Sequence, residues 1–155
     1  MSVPDLSPVQ PPGRLVVILL VDDDDGDVQL TLEAFDDGRL GNQLYRAKDG
    51  EQAMAFLRRE GKYADAPRPD LVLLDLNMPR MGGRELLAEL KSDPALAGIP
   101  VAIVTGHESE CEILKAYNLG VDCYITKPID VTKLMIAVCS IPHFQVAIVT
   151  TAPVA

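Results

Sequence analysis

The 155-residue chain is 48% hydrophobic and 24% charged, the balance of one soluble globular domain with length enough for a core that needs no disulfide or metal staple. Its formal net charge of −9, from 23 acids and 14 bases, argues against a nucleic-acid surface and fits a cation site or a basic protein partner. No apolar run approaches the ~20 residues that span a bilayer, and Cys111, Cys123 and Cys139 lack metal-ligand spacing, so they read as free thiols in a reducing cytosol.

Residues 1–13, "MSVPDLSPVQPPG", hold four prolines and no periodicity. They read as a flexible lead-in, and they lack the basic and apolar regions of a signal peptide. Two kinds of segment then alternate. Short apolar runs rich in Val, Ile and Leu fall at 15–21, 44–47, 71–76, 100–105 and 122–126. Between them lie stretches with helical spacing. Val28, Leu32 and Phe35 share a face, and so do Ala53, Phe56 and Leu57 in "GEQAMAFLRRE". Leu86 with Leu90, Ile113 with Tyr117, and Leu134 with Val138 and Ile141 repeat the pattern. The stretch "GKYADAPRPD" reads as a loop into the third strand.

Five β-α repeats predict a doubly wound α/β domain over 14–142, a parallel sheet with helices on both faces. Uniformly apolar strands fit, because such strands are covered on both sides. After Pro142 the tail "HFQVAIVTTAPVA" reads as an extra extended segment over 143–155.

Polar residues gather at the strand ends. Strand one runs into Asp22 and Asp23, strand three carries Asp75, strand four ends in Thr105 and strand five in Lys127. Ligands of open parallel sheets bind outside these carboxyl ends. Three carboxylates at one rim cannot all stay ionised without a cation. Hard oxygens with no His or Cys nearby suit Mg²⁺ or Mn²⁺. A metal beside a carboxylate, a hydroxyl and a lysine points to phosphoryl transfer, with a carboxylate as nucleophile. Asp24, Asp25 and Asp27 read more simply as acids at a helix N-terminus, where the dipole favours them.

"LLVDDD", "LLDLNMPRMGG", "VTG" and "ITKP" together resemble the four motifs of the receiver domain of two-component response regulators, the CheY-like superfamily, over about residues 14–141. "DGEQAMAFLRREGKYADAPRPDLVLLDLNMP" and "LGVDCYITKP" are similar to the single-domain regulators paired with phytochrome histidine kinases. The resemblance implies strand order 2-1-3-4-5 and makes Asp75 the phosphoacceptor. It makes Asp22 and Asp23 ligands of Mg²⁺, with the Asn77 carbonyl as another. Thr105 and Lys127 would contact the phosphoryl oxygens, and Pro128 would follow a cis peptide bond. Tyr124 stands at the position of the switch aromatic, and Gly82 and Gly83 at the turn after the third strand. Gly106 stands where many relatives carry Ala or Ser. Asn77 and His107 would flank the path of hydrolytic water and modulate phosphoryl lifetime, or His107 would be simply a solvated loop histidine.

The implied partner is a sensor histidine kinase or phosphotransfer protein, of phytochrome type, in the cytoplasm. No helix-turn-helix or basic stretch follows 142, so output is expected through a protein partner, or as a phosphate relay or sink, with no contact to nucleic acid or membrane. The tail would form an arm that pairs two copies beside the fourth helix, fifth strand and fifth helix, or fold back on its own domain. Two rival readings share some of these features. A haloacid-dehalogenase-like phosphatase wants an Asp where Asn77 stands, and a flavodoxin-like cofactor binder does not suit an acidic loop after strand one.

Overall fold

Five parallel strands form the centre of the computed structural model, which describes residues 16–38, 42–76, 82–110, 113, 121, 123–130 and 132–133. The elements are β1 (Val16–Val21), α1 (Asp25–Gly38), β2 (Asn42–Ala47), α2 (Gly50–Arg58), β3 (Leu71–Asp75), α3 (Gly83–Ser92), β4 (Val101–Thr105) and β5 (Cys123–Thr126). A 3₁₀ turn at Gly61–Tyr63 interrupts the stretch expected to be loop. Strand order is β2-β1-β3-β4-β5, as expected, so β1 and β3 lie side by side with their carboxyl ends level: Val21 pairs with Leu74.

The apolar strands divide their side chains between two cores. Ile18, Leu20, Leu71, Leu73, Ala102 and Val104 pack on the face covered by Val28 of α1. Leu19, Val21, Val72, Leu74, Val101 and Ile103 pack on the other face with Phe56 of α2 and Leu86 and Leu90 of α3. Alternation along each strand produces this division, and it explains why the inner strands β1, β3 and β4 are apolar on both faces, whereas the edge strand β2 carries Gln43 and Arg46.

Helix ends follow their local chemistry. Asp49 caps α2 by accepting from the Gln52 N–H at 2.8 Å, and the Gln52 side chain accepts from the Lys48 N–H at 2.8 Å. On α2, Ala53, Phe56 and Leu57 are buried as the spacing predicts. On α1 the expected face is only partly right. Val28 is buried, but Leu32 is 42% exposed, and Thr31 and Ala34 take the inward positions. The Thr31 hydroxyl donates to the Asp27 carbonyl at 3.0 Å, so a polar side chain is buried there without a lost hydrogen bond. Apolar spacing alone could not see that, and the side chain of Phe35 lies outside the described residues. Ile113, expected to share a face with Tyr117, is 58% exposed.

The expected flexible start at 1–13, most of the fourth and fifth helices, and the tail 143–155 also lie outside the described residues. Within the described residues, no helix is long and apolar enough to cross a membrane.

Candidate functional site

The carboxyl ends of β1, β3, β4 and β5 meet at one rim. Side-chain alternation carries Asp22 past the end of β1 and Asp75 at the end of β3 toward the α1 side. Both carboxylates are almost wholly buried, and Asp23 beside them is exposed. One oxygen from each of Asp22, Asp23 and Asp75 lies within 4.8 Å of the others. Lys127 reaches the same point from the segment after β5. Its Nζ is 3.0 Å from Asp75 Oδ2 and 3.3 Å from Asp22 Oδ2. The Lys127–Pro128 peptide is cis. The Lys127 N–H donates to the Thr105 carbonyl at 2.8 Å, which ties the lysine's backbone to the end of β4. The far side of the turn is held as well, because Lys133 Nζ donates to the Thr126 carbonyl and hydroxyl, each at 3.0 Å.

Two residues outside the strand-end pattern complete the site. Asp27, in the first turn of α1, accepts from Lys127 Nζ at 2.6 Å. Arg46, near the end of β2, donates from Nε to the Asp22 carbonyl at 3.0 Å and pairs through Nη1 with Asp25 at 2.8 Å. The run of four aspartates is therefore held from both flanks by cations. Asp24 has the role the sequence suggests for it, accepting from the Asp27 N–H at 3.0 Å. Asp27 combines helix-end placement with a site contact. Its signal in the sequence is nearness to Asp23, four residues earlier. Arg46 is a base at the end of the strand that the order places beside β1.

Burial pushes the Asp22 carboxyl up from 3.8 to about 6. The Asp24 N–H and the Lys127 charge pull it down, and Asp75 adds to the rise. Burial would lower the Lys127 ammonium, but hydrogen bonds to Asp27 and Asp75, with the charges of Asp75 and Asp22, outweigh it and hold it above the ordinary lysine value. Two carboxylates ~4 Å apart repel by about 4 kcal/mol at an effective dielectric of about 20, and one lysine cannot offset several such pairs. A divalent cation can. The cluster is all carboxylate oxygen, with no His or Cys in it, which suits Mg²⁺ or Mn²⁺. A cleft of about 550 Å³ opens over it, bounded by Asp23, Asp75, Gly106, Lys127 and the start of α1.

Thr105 is fully buried, and its hydroxyl donates to the His107 carbonyl at 3.2 Å. It continues the face that Val101 and Ile103 present to the α2–α3 core, and Tyr124 packs half-buried against that core. Ile103 pairs with Tyr124 and Thr105 with Thr126, so Thr105 and Tyr124 are diagonal neighbours on one face. His107 is exposed on the loop after β4. Asn77 lies outside the described residues.

Gly83 fixes how closely α3 approaches the site. A Cβ there would fall 2.5 Å from Leu76 Cα and 2.6 Å from the Asp75 carbonyl oxygen. At Gly106 a Cβ would meet nothing within 4 Å.

Residues 18–139 match the family model described as the response regulator receiver domain. The chain is 42% identical over 134 residues to response regulator Rcp1 of Synechocystis sp., spanning 86% of this chain and 91% of that protein. Among solved structures it matches the phosphorylated cyanobacterial phytochrome response regulator RcpA with a TM-score of 0.69 and 44% identity. That match spans 84% of this chain and 94% of the other. It matches the Mn²⁺-bound form of Rcp1 with a TM-score of 0.66 and 41% identity, over 79% of this chain and 88% of that one.

Proposed function

The chain belongs to the response regulator receiver family, whose members are switched by phosphoryl transfer from histidine kinases, and from that premise we propose that Asp75 is the acceptor. Assignment to this family removes the phosphatase and flavodoxin-like alternatives. The single observation that carries the reading is the Asp75 carboxylate itself. It is buried at the end of β3, within reach of a lysine, and faces a cleft that a phosphohistidine can enter.

Receiver domains bind Mg²⁺, and the carboxylates of Asp22, Asp23 and Asp75 suit it. The Asn77 carbonyl would complete the protein's ligands. When bound, the ion offsets negative charge on the phosphoryl oxygens. The rest is the work of the side chains. An Asp75 oxygen attacks phosphorus, an O–P bond forms, the P–N bond of the donor breaks, and, because the donor ring carries a proton on its other nitrogen, neutral imidazole leaves. Lys127 holds its ammonium where phosphoryl charge develops. Thr105 turns its hydroxyl from the His107 carbonyl to a phosphoryl oxygen, and Tyr124, diagonal to it, takes up the space. Such a change shifts the balance between two existing states rather than creating a new one. His107 and Asn77 flank the approach of water and set how long the acyl phosphate lasts.

The donor is a histidine kinase or phosphotransfer protein, and similarity to phytochrome regulators favours a phytochrome-type kinase in the cytoplasm. The exposed Ile113, on the segment after β4, supports a protein-binding face there, occupied by a second copy of the chain. The function is that of a signalling switch and not of a metabolic enzyme.

Labelling by acetyl phosphate tests the assignment. Wild type should take up hydroxylamine-labile phosphate only with Mg²⁺, and Asp75→Asn should take up none. His107→Ala should label but lose phosphate at a changed rate. Labelling of Asp75→Asn at the wild-type rate would end the reading.

A further inference from the structure

We propose that Asp27 is the resting partner of Lys127, a carboxylate that competes with the incoming phosphoryl group for the lysine and so limits how readily Asp75 is phosphorylated. The inference rests on the reading of Asp75 as acceptor. Lys127 offers three N–H donors, and three carboxylates surround its Nζ. The nearest is Asp27 at 2.6 Å, ahead of Asp75 at 3.0 Å and Asp22 at 3.3 Å. Asp27 is not among the three carboxylates whose oxygens converge on the metal position. The lysine's shortest bond therefore goes to an acid outside the acceptor and its metal ligands.

The fold holds both partners in place. The Asp27 N–H donates to Asp24 Oδ1 at 3.0 Å, and its carbonyl accepts from Thr31 Oγ1 at 3.0 Å. The Lys127 N–H is bonded to the Thr105 carbonyl at 2.8 Å. The two side chains are 32% and 21% exposed, so the pair is partly shielded from water, unlike a surface ion pair. Two effects follow, and they have the same sign. Lys127 must loosen from Asp27 to give a full N–H to a phosphoryl oxygen. The Asp27 charge also repels the extra negative charge that a phosphoryl group brings. Removing that carboxylate should favour the phosphorylated state by the difference in its interaction with the two states.

Calorimetric titration of the Mg²⁺-loaded full chain with beryllofluoride, a phosphoryl mimic, tests this. Asp27→Asn, close in shape but uncharged, should bind about fivefold tighter or better than wild type. Asp27→Ala should bind tighter as well, and Asp27→Glu, which keeps the charge, should stay near wild type. In the metal-free protein, the slowly exchanging ¹⁵N signal of the Lys127 ammonium should be lost in Asp27→Asn and kept in Asp27→Glu. Unchanged or weaker beryllofluoride binding in both uncharged variants overturns the proposal, and weaker binding would mean that Asp27 holds the lysine in its working position. Asp75→Asn in the same titration separates the two readings. If it binds as wild type does, the acceptor assignment fails. If it loses binding while Asp27→Asn matches wild type, only the role of Asp27 fails.

Discussion

At Asp22 the fold keeps a carboxylate whose ionisation opposes folding in the absence of metal. Burial raises its pKa from 3.8 to about 6, so the folded state binds its proton more tightly than the unfolded state does. Below about pH 4 this group contributes its full stabilisation, and the contribution is lost as pH rises through about 6. The loss is about 3 kcal/mol at most, from roughly two pKa units. Mg²⁺ binds only the ionised form, so its stabilising effect should grow over the same window. Melting measured with and without Mg²⁺ should show a larger metal-induced rise at about pH 8 than at about pH 5. An equal rise at both would mean that Asp22 does not hold the ion. Asp22, Asp23, Asp75, Thr105 and Lys127 were legible because each interrupts or ends an apolar run, where the strand direction points to the rim. Asp27 and Arg46 were not, because acids in a first helical turn and a single base on an edge strand have ordinary explanations. Only the register, which sets Leu20 beside Arg46, and the reach of Lys127 reveal their part in the site.

Among the elements, α3 depends on a close approach that only glycine permits. The missing Cβ of Gly83 leaves room for the backbone of Leu76 and the Asp75 carbonyl, neither of which can swing aside. Gly83→Ala should therefore push α3 from the end of β3. The cost should be about 1–3 kcal/mol, as for other overpacked positions, with a fall of several degrees in Tm and slower labelling of Asp75. A variant with wild-type Tm and labelling would show that the turn shifts freely. The Gly-Gly pair was legible as a turn, but its contact with the Asp75 backbone was not, because that depends on how α3 packs. Strands were easier to read than helix faces. Continuous Val, Ile and Leu runs need no choice of face when both sides are covered, so β1, β3 and β4 emerge within a residue of expectation. On α1 the choice of face mattered, and Leu32 was misplaced because buried Thr31 satisfies its hydroxyl within the helix.

For the whole molecule, the order of the β-α units determines the site more than any single motif does. Placing β1 and β3 side by side brings acids 53 positions apart, Asp22 and Asp75, to one point, and β5 delivers Lys127 to them. The net charge of −9 is concentrated there only in part, with Arg46 and Lys127 set against the acidic loop. The tail remains the part where sequence carries the reading alone. "HFQVAIVTT" has no charged Asp, Glu, Lys or Arg, and left in water it would be a strand-prone edge. Deleting residues 143–155 should convert a dimer into a folded, phosphorylatable monomer in sedimentation. A full-length chain that is already monomeric at high micromolar concentration would favour folding back instead.

The central claim is that phosphate from a histidine kinase comes to rest on Asp75, and chemical mapping tests it most directly. Borohydride reduces an acyl phosphate to an alcohol, which marks the modified side chain in peptide mass spectra. After Mg²⁺-dependent phosphotransfer from a phosphorylated kinase, reduction should mark the peptide containing Asp75, at that residue. A mark at Asp22, Asp23 or Asp27 with Asp75 unmodified would contradict the account.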